Sequence, residues 1–70
     1  MERLGVESSH IQEIGYEPTE AILEIEFKGG SVYQYYDVPQ YEYDNLMSAE
    51  SKGSYAHQNI YKNYRCQRIG

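Results

Sequence analysis

The seventy-residue chain has no tryptophan, one phenylalanine, two prolines and a single cysteine, Cys66. One cysteine excludes an intramolecular disulfide. With no paired Cys or His spacing, the usual structural zinc frameworks are excluded as well. Positive charge is scarce: six Lys and Arg stand against eleven Asp and Glu, for a net charge of −5 and a pI near 4.8. That balance does not suit a generic nucleic-acid binder, whose affinity comes largely from cation–phosphate contacts. No apolar run approaches the length of a membrane span. Residues 1–10 lack the apolar stretch of a secretion signal, so a reducing, cytoplasmic setting is expected. Repeats, low-complexity segments and a strand-to-helix Gly-rich phosphate loop are also missing.

What is abundant is tyrosine, nine residues of it. A chain this short is expected to be one domain, residues 1–70, with its folded core in about 6–64. Small domains bury little surface and often need a staple. With disulfide and metal excluded, association with another chain is the staple left. Tyrosine buries a large ring but keeps a polar tip, which suits a core with wet edges or a protein interface.

Charge is unevenly placed. Through Ser51 the eleven acids meet only Arg3 and Lys28, a net −9. From Lys52 onward there are four cations, Lys52, Lys62, Arg65 and Arg68, and no acid. Cations at a helix end meeting the macrodipole explain this more simply than an anion-binding patch.

Periodicity divides the chain. A strand over about Ser8–Tyr16 holds Ile11 and Ile14, which break strict alternation and suggest a bulge. Glu17-Pro18-Thr19-Glu20 reads as a turn. Ala21–Phe27 alternates Leu23, Ile25 and Phe27 with Ile22, Glu24 and Glu26, a half-buried strand. Lys28-Gly29-Gly30 is loop chemistry, and Ser31–Val38 returns. A three-residue loop sets Phe27 opposite Ser31, Ile25 opposite Tyr33 and Leu23 opposite Tyr35. Tyr33 and Tyr35 then enter the core, while Gln34 and Tyr36 join Glu24 and Glu26 outside. A two-residue Gly-Gly loop would turn Val32, Gln34 and Tyr36 inward instead. The three-residue loop is preferred because it hides the aromatic pair against Leu23 and Ile25.

Pro39 marks a helix start at its first position, with Asp37 placed to help cap it. This helix runs to about Glu50, with Tyr43, Leu46 and Met47 as its inner face. Gly53 stops it, and Ser54 caps a second helix to about Tyr64, striped by Ala56, Ile60 and Tyr64. Residues 65–70 are expected to fray. The expected fold is α+β: a three-stranded antiparallel meander with two C-terminal helices packed on one face, in the order β-β-β-α-α.

No catalytic, metal or cofactor constellation emerges. Ser8, Ser9 and His10 are sequential neighbours whose side chains alternate faces, His57 sits on a helix surface, and Cys66 lies in the tail. The expectation is a non-enzymatic interaction module. Tyr36, Tyr41 and Tyr61 are the tyrosines expected outside, and a cluster of them would serve a protein partner or a second copy of the chain. An exposed sheet edge offers a homodimer another route. RNA is the alternative partner, with Tyr33, Tyr35 and Tyr36 to stack bases and Lys62, Arg65 and Arg68 to hold phosphates. The preferred register opposes it, since it buries Tyr33 and Tyr35 and leaves Glu24 and Glu26 facing out.

The ordered set Leu23-x-Ile25-x-Phe27, Gly30, Tyr33-Gln34-Tyr35, Val38-Pro39, Leu46, Ala49-x-Ser51-x-Gly53 and Tyr55 resembles the KTSC domain. Ser8-Ser9 and Gly15-Tyr16 upstream fit the start of the same pattern. The likeness covers roughly residues 6–64. It departs at Ala56-His57, where the pattern has an aromatic residue followed by asparagine. That family takes its name from a C-terminal segment of some lysyl-tRNA synthetases and also occurs as stand-alone small bacterial proteins. Its signature is a central Tyr-x-Tyr, here Tyr33 and Tyr35. The resemblance implies an RNA-binding role by association with the synthetase.

Overall fold

The computed structural model describes residues 1–70. In chain order the elements are β1 (Arg3–Gly5), β2 (Ile11–Glu17), β3 (Ile22–Phe27), β4 (Val32–Tyr35), α1 (Gln40–Ser48), α2 (Lys52–Asn59) and β5 (Cys66–Arg68). The strands form one antiparallel sheet in the order β1-β2-β3-β4-β5. The class is α+β as expected, but the sheet has five strands and not three.

The central hairpin takes the three-residue loop. Leu23 pairs with Tyr35, Ile25 with Tyr33 and Glu24 with Gln34. The Phe27 N–H donates to the Ser31 carbonyl at 2.8 Å, closing the loop. Gly30 adopts a φ of +101°, in the left-handed region that glycine occupies without strain. The bulge in β2 falls between Ile11 and Glu13. The extra residue lets Ile11 and Ile14 both face inward, and both are fully buried.

Two strands escaped the sequence reading. β1 pairs with β2 by setting Arg3 against Gly15. A Cβ on Gly15 would lie 2.7 Å from the Glu2 carbonyl oxygen and 2.8 Å from Arg3 Cγ, so a side chain there would push β1 off the sheet. β5 arises from residues 65–70, which were expected to fray. Tyr33 pairs with Arg68, Gln34 with Gln67 and Tyr35 with Cys66. The Tyr36 N–H donates to the Arg65 carbonyl and the Ile69 N–H to the Val32 carbonyl. Backbone pairing is the main anchor of this strand, whose three residues are all exposed, with Tyr36 Oη donating to Gln67 Oε1 at 3.4 Å beside it.

Both helices are shorter than expected. Pro39 stands at the N-cap of α1, not at its first position, and no side chain caps that end. Asp37 takes a φ of +58° in the link from β4. Ser51 caps α2, its Oγ accepting from the Ser54 N–H at 3.3 Å, so Gly53 lies in the first turn and does not end α1. Tyr64 falls beyond α2 but still packs on the core. The core joins Ile11, Ile14, Leu23, Ile25 and Tyr35 of the sheet to Leu46, Ala56 and Ile60 of the helical half. No helix is long and apolar enough to cross a membrane.

One acid is inside. Glu42 precedes Leu46 by four residues and so shares the inward face of α1. Its carboxylate accepts from Tyr55 Oη at 2.5 Å and Tyr64 Oη at 2.8 Å, tying α1 to α2 and to the segment after it. Glu42→Gln keeps the shape and forfeits a charged acceptor. A loss of about 1–3 kcal/mol is expected in urea unfolding. An unchanged midpoint would mean that this clamp contributes nothing to stability.

Candidate ligand cleft

The sheet presents a polar outer face. Arg3 reaches across Gly15 and meets Glu13 at 3.2 Å, Glu24 at 3.0 Å and Glu26 at 3.4 Å. Gln34 donates to Glu24 at 2.8 Å, and Tyr36 Oη donates to Gln34 at 3.3 Å. Arg65 lies over the Tyr36 ring, 5.5 Å from its centre. Three carboxylates thus gather on this face around one guanidinium. Phosphate would be repelled here, and Tyr36 is already engaged.

The opposite side holds the aromatics. Tyr33 meets Phe27 edge-on at 5.9 Å, and Tyr61 stacks on Tyr35 at 5.9 Å while also meeting Phe27 at 6.0 Å. Tyr61 was expected outside, yet it is half-buried in this cluster. Phe27, at the end of β3, supplies the apolar surface that draws it in. Of the other expected partner residues, Tyr41 is 62% exposed on α1, Tyr36 is on the outer sheet face, and Lys62 follows Tyr61 after α2. Arg65 flanks the outer face, and Arg68 Nε donates to the Gly70 carbonyl at 2.7 Å. The three tyrosines therefore do not form one hot spot.

The structure does gather a different set. A cleft of about 470 Å³ opens beside Tyr61, between the start of β2, the end of β3 and the first turns of α2. Its wall is Ser9, His10, Phe27, Ser51, Gly53, Ser54, His57 and Tyr61. Ser8 Oγ accepts from the N–H groups of His10 and Ile11, fixing the corner before β2. Ser9 Oγ sits 2.8 Å from His10 Nδ1. His57 meets the Tyr61 ring at right angles, 6.4 Å between centres. Phe27 and Tyr61 make the apolar floor, and hydroxyls and imidazoles make the rim. No carboxylate lines it, in a chain with eleven acids.

Burial raises the Tyr61 phenol above its ordinary value. Tyr61 is therefore a neutral donor at neutral pH. The Ser9–His10 contact resembles half of a hydrolytic dyad, but no acid in the wall orients the imidazole. No group of three or more His, Cys, Asp or Glu is placed to hold a metal ion. Sequence reading set the side chains of Ser9 and His10 on alternate faces of a strand and took His57 apart from them; the two neighbours instead precede β2 proper at its corner and share one wall with His57, which only the fold brings near.

Residues 7–64 match the family model described as the KTSC domain. A protein of Tsukamurella paurometabola is 50% identical over 50 residues, covering 71% of this chain and 75% of its own. The lysine–tRNA ligase of a Nostoc species is 38% identical over 66 residues, which cover 94% of this chain but 12% of the ligase. The crystal structure of a KTSC domain protein from Yersinia pestis superposes with a TM-score of 0.93 at 43% identity, covering 99% of this chain and 97% of that one.

Proposed function

The chain belongs to the KTSC domain family, and from that premise we propose that it is a non-enzymatic RNA-binding accessory module whose ligand enters the cleft beside α2. The observation that carries this reading is the cleft itself. It is a concave site with an aromatic floor and a rim of hydrogen-bonding groups, free of carboxylates in an acidic molecule. Unpaired RNA presents flat bases for such a floor and phosphates for such a rim. The relative within a lysine–tRNA ligase supports the choice of RNA over other ligands with rings. A cytoplasmic setting goes with it. The absence of an acid to orient either imidazole supports a binding role over catalysis.

Self-association is a second reading. It is favoured by Leu4, 54% exposed on the free edge strand β1. Sedimentation at increasing concentration tests it, and a monomer throughout removes it.

The RNA reading is tested by anisotropy of a labelled single-stranded RNA, first at low and then at moderate salt. Binding at low salt, weakened by His57→Ala, is expected. His57 is exposed, so that substitution leaves the core intact. No binding even at low salt, where attraction is strongest, rejects the proposal.

A further inference from the structure

We infer that the cleft seats one nucleotide as a nucleoside monophosphate unit, with its base against Phe27 and Tyr61 and its phosphate among His10, His57 and Ser54, and that the chain does not track an RNA backbone. The inference rests on the cleft being the ligand site, as in the reading above, and names the chemical unit the cleft recognises. It follows first from where the cations are. Arg3 is committed to Glu13, Glu24 and Glu26 on the outer face. Lys52 Nζ donates to the Ala49 carbonyl at 2.9 Å. Arg65 lies over Tyr36, and Arg68 folds back on Gly70. Lys28 is in the β3–β4 loop and Lys62 follows α2. No basic groove results, so length of backbone adds little affinity.

The cleft supplies what those cations do not. Its volume of about 470 Å³ falls within the roughly 300–1,000 Å³ typical of small-molecule sites. The Phe27 and Tyr61 rings lie 6.0 Å apart and are inclined at 56°, a two-ring corner too short for a run of bases. Ser9, Ser51 and Ser54 hydroxyls with two imidazoles ring that corner. This constellation fits a planar heterocycle carrying a compact anion with several acceptors. A free mononucleotide and an unpaired nucleotide within a strand share this chemistry.

The test is an NMR titration of the full chain with adenosine 5′-monophosphate, adenosine, inorganic phosphate and a single-stranded RNA. The monophosphate is expected to shift the amides of Ser9, Gly53, His57 and Tyr61 saturably. Adenosine and phosphate should each bind at least about tenfold more weakly, since each lacks half of the contacts. For the RNA, the logarithm of affinity against that of salt should fall with a slope near the roughly −0.7 of a single phosphate contact. Ser54→Asp puts a carboxylate into the cleft wall while suiting the first turn of α2, so the variant folds and should bind the monophosphate at least about tenfold more weakly. RNA bound with a steep salt slope, and no response to the mononucleotide, overturns the inference and leaves the RNA reading standing. The mononucleotide bound without RNA upholds the inference with free nucleotide as the source, and ends the RNA reading. Neither ligand bound ends both.

Discussion

Replacing Tyr35 with alanine is expected to lower stability by about 3–5 kcal/mol, the range for removing an aromatic side chain from a core. Tyr35 is 4% exposed, lies opposite the fully buried Leu23, and stacks on Tyr61. Its hydroxyl makes no hydrogen bond within the chain and is not a buried orphan, so the cost is almost wholly that of the ring. The ring also helps Phe27 hold Tyr61 against the sheet, so the cleft floor should loosen with it. A single core in a chain of this length rarely supplies more than about 3–5 kcal/mol. The alanine variant should therefore be partly unfolded at ambient temperature. Tyr35→Phe keeps the ring and should stay within about 1 kcal/mol of the parent. Urea unfolding of the two variants checks both statements. An alanine variant that loses less than about 1 kcal/mol would contradict the core role of the Tyr33-Gln34-Tyr35 signature.

That signature was legible in the sequence because three signals agreed. Leu23, Ile25 and Phe27 alternate, Gly30 supplies the left-handed residue a three-residue loop requires, and Glu24 and Gln34 share an outward register. The inner faces of the helices were legible for the same reason, from Leu46 and from Ala56 with Ile60. β1 and β5 were not, since three-residue strands carry no period to read. β1 depends on the bare backbone of Gly15, and β5 on main-chain bonds that any sequence can make. The helix boundary moved because Ser51 and Ser54 are both competent caps, and only the geometry at Ser51 satisfies the free amide. Glu42 could have been suspected from its spacing to Leu46, but its two phenol partners could not. The cleft was the least legible feature. A strand corner, a strand end and a helix must meet before Ser9, Phe27 and His57 surround one volume.

Alkali should unfold the chain steeply above pH 10. Five phenols are held above their ordinary value of 10.0. Burial is the main cause for Tyr35, with Tyr61, Cys66 and Tyr33 adding to it. Burial again leads for Tyr64 and Tyr55, followed by the hydrogen bond each makes to Glu42, whose charge also opposes a phenolate. Tyr61 is raised by burial, and Tyr16 by burial and then by Asp44. A phenol whose folded value is raised contributes stability that is complete below pH 10, where both states keep the proton. Above pH 10 the unfolded chain releases it first, and stability falls as pH rises toward the folded value. Each withheld proton contributes a slope of about 1.4 kcal/mol per pH unit. Solvent screening trims the share of the less buried Tyr16, Tyr55 and Tyr64, but together with Tyr35 and Tyr61 they should consume the few kcal/mol of a core this small within about two pH units. Circular dichroism and the share of tyrosinate absorbance that belongs to these five of the nine phenols should therefore change together, in one cooperative step. Tyr35→Phe removes one of the withheld protons and should move that step to higher pH. Gradual phenol ionisation from pH 10 with the dichroism intact at pH 12 would show that these phenols are not held by the fold.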